Sequence, residues 1–193
     1  MDKIKIILIV LVAGLAIYAG TLHSKLKSYQ QFVDWAEFTP ASIMLDENYV
    51  FYELNSIIKE SIEKEEMNSD TFQTLQNTYW NIRDHLETLT QMANQLEGEN
   101  VNWNHIFEQI STVIHTLERM DKENNESGKL SEEQADFLND VLTLNDRMYK
   151  VFGEYKSISN KERKDLGRDY WVDYIKDIER ETKGIVVKGI NHH

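Results

Sequence analysis

Ile6 to Leu22 reads IILIVLVAGLAIYAGTL, 17 residues without a charge. No water is available inside a bilayer to hydrogen-bond the backbone, so such a run crosses it only as a helix. As a helix it is about 26 Å long, at the short end for a hydrocarbon core. The apolar segment of a secretory leader is shorter, about 7–15 residues, and the small-residue pattern of a cleavage site is met only at Ala19. An uncleaved anchor over residues 1–23 is preferred to a cleaved leader. A buried core helix fits less well, because nothing polar interrupts the run. Lys3 and Lys5 precede it and His23, Lys25 and Lys27 follow it, so the positive-inside rule barely discriminates. A short N-terminal tail normally stays in the cytoplasm. The expectation is a single pass through the cell membrane with the soluble part outside.

Asp2, Lys3 and Lys5 give Met1 to Leu22 a charge of +1, which leaves −13 of the total −12 for the rest. A surface this acidic argues against nucleic-acid binding, which needs cations to neutralise phosphates, and against broad adhesion to anionic lipid. There is no cysteine. Disulfides, cysteine-based zinc sites and iron–sulfur clusters are therefore excluded. One proline and eight glycines among 193 residues leave few helix breakers, and the wealth of Glu, Lys, Leu and Ile favours helices. The Lys, Glu, Asn and Ile content also fits AT-rich bacterial or phage coding.

Apolar residues recur with helical spacing along the rest of the chain. Leu22, Leu26, Tyr29, Val33 and Ala36 extend the anchor into a juxtamembrane helix. Thr39 and Pro40 supply an N-cap and a first helical residue for a second helix, with Met44, Phe51, Leu54, Ile58 and Ile62 on one side. Asn68, Ser69 and Asp70 open a third. Its stripe of Phe72, Leu75, Tyr79, Ile82, Leu86, Leu89, Ala93 and Leu96 alternates three and four, a heptad pattern. Gly98 to Asn100 breaks it. A fourth helix presents Trp103, Ile106, Ile110, Val113, Leu117 and Met120, and Asn124 to Gly128 form a loop. Ser131 and Gln134 make a capping box for a fifth helix. That helix carries two adjacent stripes, one of Ala135, Leu138, Leu142, Asn145, Tyr149 and Phe152, the other of Val141, Leu144, Met148, Val151 and Tyr155. A face so wide touches more than one neighbour, which makes this helix central. A second capping box at Ser159 to Glu162 leads to a last helix with Trp171, Tyr174, Ile178 and Ile185. Short loops between long helices predict antiparallel neighbours. The expected fold is all-α: an N-terminal transmembrane helix continuing into an antiparallel up-down bundle over residues 24–184, with a flexible tail over 185–193.

The motifs that carry chemistry are weak. A di-iron bundle needs Glu-x-x-His on two helices, but Ile82, Asn102 and Thr112 stand three before His85, His105 and His115. His105 with Glu108 and His115 with Glu118 have the reversed order and read as solvated surface pairs. The His192–His193 pair has no third ligand fixed near it. Ser56 with Lys59 and Ser61 with Lys64 match the Ser-x-x-Lys spacing of penicillin-recognising enzymes, without the companion motifs. No phosphate-cradling glycine loop is present. No catalytic residue, metal ligand or cofactor is assigned. Asn145, inside an apolar stripe, either fixes helix register or reaches solvent at the edge.

Aromatic doublets are the other feature. Tyr79–Trp80 and Tyr170–Trp171 each put one ring on a stripe and its neighbour off it. Trp80 and Trp171 are the candidate anchors for a partner, because Trp dominates binding hot spots; wider core packing is the competing reading. The expected role is a non-catalytic, membrane-anchored interaction or scaffold module of a bacterial envelope process. It binds a protein partner at the membrane, is held there by residues 6–22, has no nucleic-acid partner, and leaves self-association open. A sensory domain that binds a small ligand inside the bundle is the alternative, weakened because no second span or signalling domain follows. A polar cavity would favour the sensor, and a dry core with exposed aromatics the interaction module.

Overall fold

The computed structural model describes residues 3–35, 40–94, 103–124, 128–155 and 170–190, with side chains over 9–27, 50–91, 93–94, 103–124, 128–155 and 172–190. The expected breaks or caps at Thr39, Gly98 to Asn100 and Ser159 to Glu162 lie outside the described residues. The described elements are helices: α1 (Lys3–Trp35), α2 (Pro40–Lys64), α3 (Ser69–Met92), α4 (Asn104–Asn124), α5 (Glu132–Tyr155) and α6 (Tyr170–Thr182). No strand occurs among the described residues, only an isolated bridge between Glu66 and Lys129. The chain divides into two compact units, Met1–Thr39 and Pro40–His193.

In the first unit, the apolar run and the juxtamembrane stripe form one continuous helix, as the spacing predicts. Its stretch Ile9–Lys27 is long and apolar enough to cross a membrane, and none of it is buried. That stretch overlaps the expected segment over Ile9 to Leu22; Ile6 to Leu8 lie outside the described side chains. Thr21 donates its hydroxyl to the Ile17 carbonyl at 2.5 Å, so a polar group within the run is satisfied by its own helix.

The second unit has one core. Phe51, Leu54 and Ile58 of α2, the α3 stripe from Phe72 to Ala93, and the α4 stripe from Trp103 to Met120 are all buried. Leu96 and Met44 lie outside the described side chains. α3 packs chiefly on α4 and α2 on α5, while α5 also meets α6. On α5 the core takes Phe137, Leu138, Val141, Leu144, Asn145, Met148, Val151 and Phe152. Ala135 and Leu142 are half-buried and Tyr149 is exposed, so the first of the two expected stripes is divided: Leu138, Asn145 and Phe152 join the core and the other three flank it. An aromatic cluster joins three helices: Phe152 meets Phe51 at 5.4 Å and Tyr174 at 5.2 Å, and Tyr174 also meets Tyr155 at 5.3 Å, in tilted or edge-on contacts.

The helix ends follow local chemistry. Asn68 Oδ1 accepts from the Thr71 backbone N–H at 2.9 Å to cap α3. Ser131 and Gln134 form the expected reciprocal box: Gln134 N–H donates to Ser131 Oγ at 3.2 Å, and Ser131 N–H to Gln134 Oε1 at 3.0 Å. α2 ends with Glu65 at φ 53°, a conformation usually left to glycine. Glu66 N–H to Ser61 carbonyl and Glu65 N–H to Ile62 carbonyl complete a Schellman motif there. The two turns are then tied together, with Met67 N–H on the Gly128 carbonyl at 2.8 Å and Leu130 N–H on the Glu65 carbonyl at 2.9 Å.

Of the tail expected to be flexible over 185–193, residues 185–190 are described. Gly184 (φ 90°) turns the chain at the end of α6, and the following segment lies against α4 and α5. Val187 and Ile190 are buried, and Val187 N–H donates to Gln109 Oε1 at 2.7 Å. Burial of two branched side chains opposes fraying there. Residues 191–193 lie outside the described residues.

Leu86 and Ile110 are fully buried. Leu86→Ala or Ile110→Ala is expected to destabilise the fold by about 2–5 kcal/mol, the range for core cavities, measured by denaturant unfolding. No measurable loss at either site would mean that these stripes do not pack a core.

Candidate functional site

Trp80 lies one residue beyond Tyr79 on α3, about 100° around the helix axis. Tyr79 is fully buried, whereas Trp80 is 41% exposed. The Arg83 guanidinium, one turn on, stands 5.0 Å from the Trp80 ring centroid. That cation–π contact braces the indole while the side chain stays substantially exposed. Trp171 is the second residue of α6; its side chain lies outside the described side chains.

Two further rings are exposed, Tyr52, which the sequence reading did not single out, and Tyr149, which it placed in an apolar stripe. Tyr52 on α2 is 68% exposed and Tyr149 on α5 is 41% exposed. Asn55 Nδ2 donates to Asp146 Oδ1 at 2.9 Å. Tyr52 and Tyr149 each lie three residues from one end of that contact, close to one helical turn. The signal for Tyr52 is its position beside Phe51, off the buried stripe. For Tyr149 it is the second α5 stripe, which takes the core-facing positions.

Beneath the surface runs a chain of polar groups. Tyr79 donates its hydroxyl to Asn145 Oδ1 at 2.9 Å, and Asn145 Nδ2 donates to Asn55 Oδ1 at 2.9 Å. With Asn55 bonded to Asp146, the chain leads from the buried seam of α3, α5 and α2 out to solvent. Asn145 is fully buried, so it does not reach solvent itself. Burial pushes the Tyr79 hydroxyl above the usual tyrosine range, and its hydrogen bond to Asn145 offsets this only in part. The Tyr155 hydroxyl is pushed up first by burial and then by its 2.6 Å hydrogen bond to Asp177.

Several of the other residues weighed for chemistry have structural partners, while His192 and His193 lie outside the described residues. Ser61 donates its hydroxyl to the Ile57 carbonyl at 2.9 Å, and Lys64 pairs with Glu60 one turn back, so the Ser61–Lys64 spacing does not bring the two together. His115 and Glu118 form a solvated pair at 3.9 Å, as their spacing predicts. His105 departs from the surface-pair reading: it is half-buried, with Nε2 3.2 Å from the Thr182 carbonyl at the end of α6. Nearby, burial raises the Glu179 carboxyl above its ordinary range, opposed by His105 and the Ile106 N–H. No group of three or more His, Cys, Asp or Glu able to hold a metal occurs among the described residues.

Comparison with protein families, curated proteins and solved structures returned no match.

Tyr79→Phe keeps the ring and removes the hydroxyl, leaving Asn145 Oδ1 buried without that donor. A cost of about 1–3 kcal/mol is expected at neutral pH. Because the folded-state pKa of Tyr79 is raised, its contribution is fully present below the ordinary tyrosine value of about 10. It is lost as pH rises beyond that, when the unfolded chain ionises and the folded chain does not. The alkaline decline in stability should therefore be shallower in Tyr79→Phe. An unchanged decline in pH-dependent unfolding would contradict this account.

Proposed function

We propose that this chain is a membrane-anchored helical interaction module that binds a protein partner at a bacterial cell membrane without turnover of its own. The observation that carries the reading is the chemistry of what stays exposed. Among the described helix side chains of the second unit, the exposed large hydrophobics are Tyr52, Trp80 and Tyr149. Aromatic rings with a polar handle are the side chains that dominate protein-binding hot spots. Inside the described core the Tyr79 hydroxyl and the amides of Asn145 and Asn55 bond to one another. That favours an interaction module over a sensor with a ligand cavity inside the helices.

The anchor is α1, through its exposed apolar stretch. A single pass with Pro40–His193 outside the cell is the proposed topology. The second unit is proposed as an up-down antiparallel bundle; Phe51 opposite Phe152 and Asn55 opposite Asp146 support it for α2 and α5. Tethering raises the effective concentration of the module toward other membrane components. The acidic surface suits a basic protein partner, steered electrostatically, and not nucleic acid. Trp80 and Trp171 are the proposed anchors.

Carbonate and high salt should fail to extract the full-length chain from membranes, and a soluble mature chain beginning near Gly20 would refute the anchor. External protease should digest the second unit in intact protoplasts; protection until the membrane is broken would reverse the topology. Crosslinking in the native membrane should capture a protein, and Trp80→Ala should weaken that capture by about 2 kcal/mol or more with unchanged circular dichroism. If no protein is captured but a small molecule raises the melting temperature in proportion to its concentration, the sensory reading replaces this one.

A further inference from the structure

Residues 185–190 lie along the helices as an extended segment, and the way they are held defines a site. Val187 and Ile190, three apart, are the buried side chains, while Val186 between them and the turn faces solvent. Val187 N–H donates to Gln109 Oε1 of α4 at 2.7 Å, and Lys188 N–H to Asp140 Oδ2 of α5 at 3.3 Å. Gly189 is pressed against α4: a Cβ there would stand 3.3 Å from Thr116 Oγ1 and 3.5 Å from Thr112 Cγ2. The helices thus accept an apolar residue, a basic residue whose amide is bonded, a residue without a side chain, and a second apolar residue.

We propose that this α4–α5 groove is a recognition site for a short extended segment of a partner protein, basic and with two apolar residues three apart, which residues 185–190 occupy in the resting chain. The inference rests on the reading of the chain as a protein-binding module and adds the class of segment bound. Three observations support it. First, the acceptors that hold Val187 and Lys188 are side chains on two different helices. Neither bond is to a helix backbone, so releasing the segment breaks no backbone hydrogen bond of α4 or α5, which suits a local opening. Second, open clefts flank the seated segment on both sides. A cleft of about 620 Å³ opens on the α5 side, lined by Glu133, Asp136 and Phe137. Another of about 740 Å³ opens on the α4 side, lined by Phe107, Thr112 and His115. Third, the charges match. Glu133, Asp136 and Asp140 of α5 line the groove beside Lys188, so a basic segment is steered toward it. Main-chain bonds supply affinity in such sites and the side-chain pockets specificity.

The test uses the full chain in detergent micelles and a labelled peptide of residues 184–190. Gly189→Leu in the chain should unseat the segment, because its side chain meets Thr116, while every groove residue is kept. Hydrogen exchange at the Val187 amide reports release, and circular dichroism reports the helices. The expected result is that the Gly189→Leu chain binds the peptide about tenfold more tightly than the wild type, whose groove is occupied. A peptide carrying the same Gly189→Leu change should not bind. Equal peptide affinity for both chains, with the segment released and the helices intact, overturns the proposal. Val187→Asp is the second route to release. If both variants lose their helices, the segment is a structural part of the fold and the proposal fails. If the wild-type chain is a dimer that excess peptide splits into monomers, the occupant is a second copy and the partner assignment is overturned. Trp80-dependent capture of a protein that survives failure of the peptide leaves the interaction reading standing and removes this site alone.

Discussion

An amide buried away from water must find its hydrogen bonds in the protein, and Asn145 finds them on two different helices. Tyr79 of α3 supplies the donor and Asn55 of α2 the acceptor. Hydrophobic burial drives α2, α3 and α5 together, but it is non-directional and tolerates one helix sliding on another. The amide does not. A shift of one turn along α5 would strand its carbonyl and its NH₂ in an apolar seam, at the cost of a buried unsatisfied group. The apolar stripes decide that these helices associate, and Asn145 decides the register in which they do so. Asn55 then relays the chain to Asp146, so the polar run ends in solvent, where a charge belongs.

A second set of polar contacts disciplines the turns. Asn124, at the end of α4, exchanges two side-chain amide bonds with Gln134, at 3.1 and 3.2 Å. Gln134 also closes the box with Ser131. One glutamine therefore serves the start of α5 and the end of α4. The bridge between Glu66 and Lys129 joins this turn to the one between α2 and α3. Salt bridges add little to this, because pairs such as Lys122 with Glu118 are exposed and such pairs contribute weakly.

Much of this was legible in the sequence where the determinant is local. The α3 and α4 stripes follow from heptad spacing, and both Asn68 and the Ser131–Gln134 box from capping chemistry alone. Trp80 reads as off-core because Tyr79 claims the stripe, and Arg83 lies at the i+3 position that lets it reach the indole. What failed is non-local. Two stripes compete on α5, and only the neighbours decide that Val141, Leu144 and Met148 outrank Leu142 and Tyr149. Ile185 to Ile190 has two valines in a row, a glycine at 189 and no helical period. Its burial depends on a groove whose walls lie about 50 to 80 residues upstream, as the Lys188–Asp140 and Val187–Gln109 separations of 48 and 78 show. His105 paired with the end of α6 is hidden for the same reason, at a separation of 77.

The contact between Asn55 and Asp146 spans 91 positions of chain. A ribosome adding about 5–20 residues per second takes roughly 5–20 seconds to make that much chain. Through most of that interval α2 has been made and α5 has not. Phe51, Leu54 and Ile58, sealed in the finished molecule, have no α5 to cover them. The α3–α4 pair, neighbours in sequence, is complete well before. The order of synthesis thus leaves one apolar face waiting for its cover, and the acidic residues that flank it, such as Glu53, Glu60 and Glu63, keep that face soluble until α5 arrives.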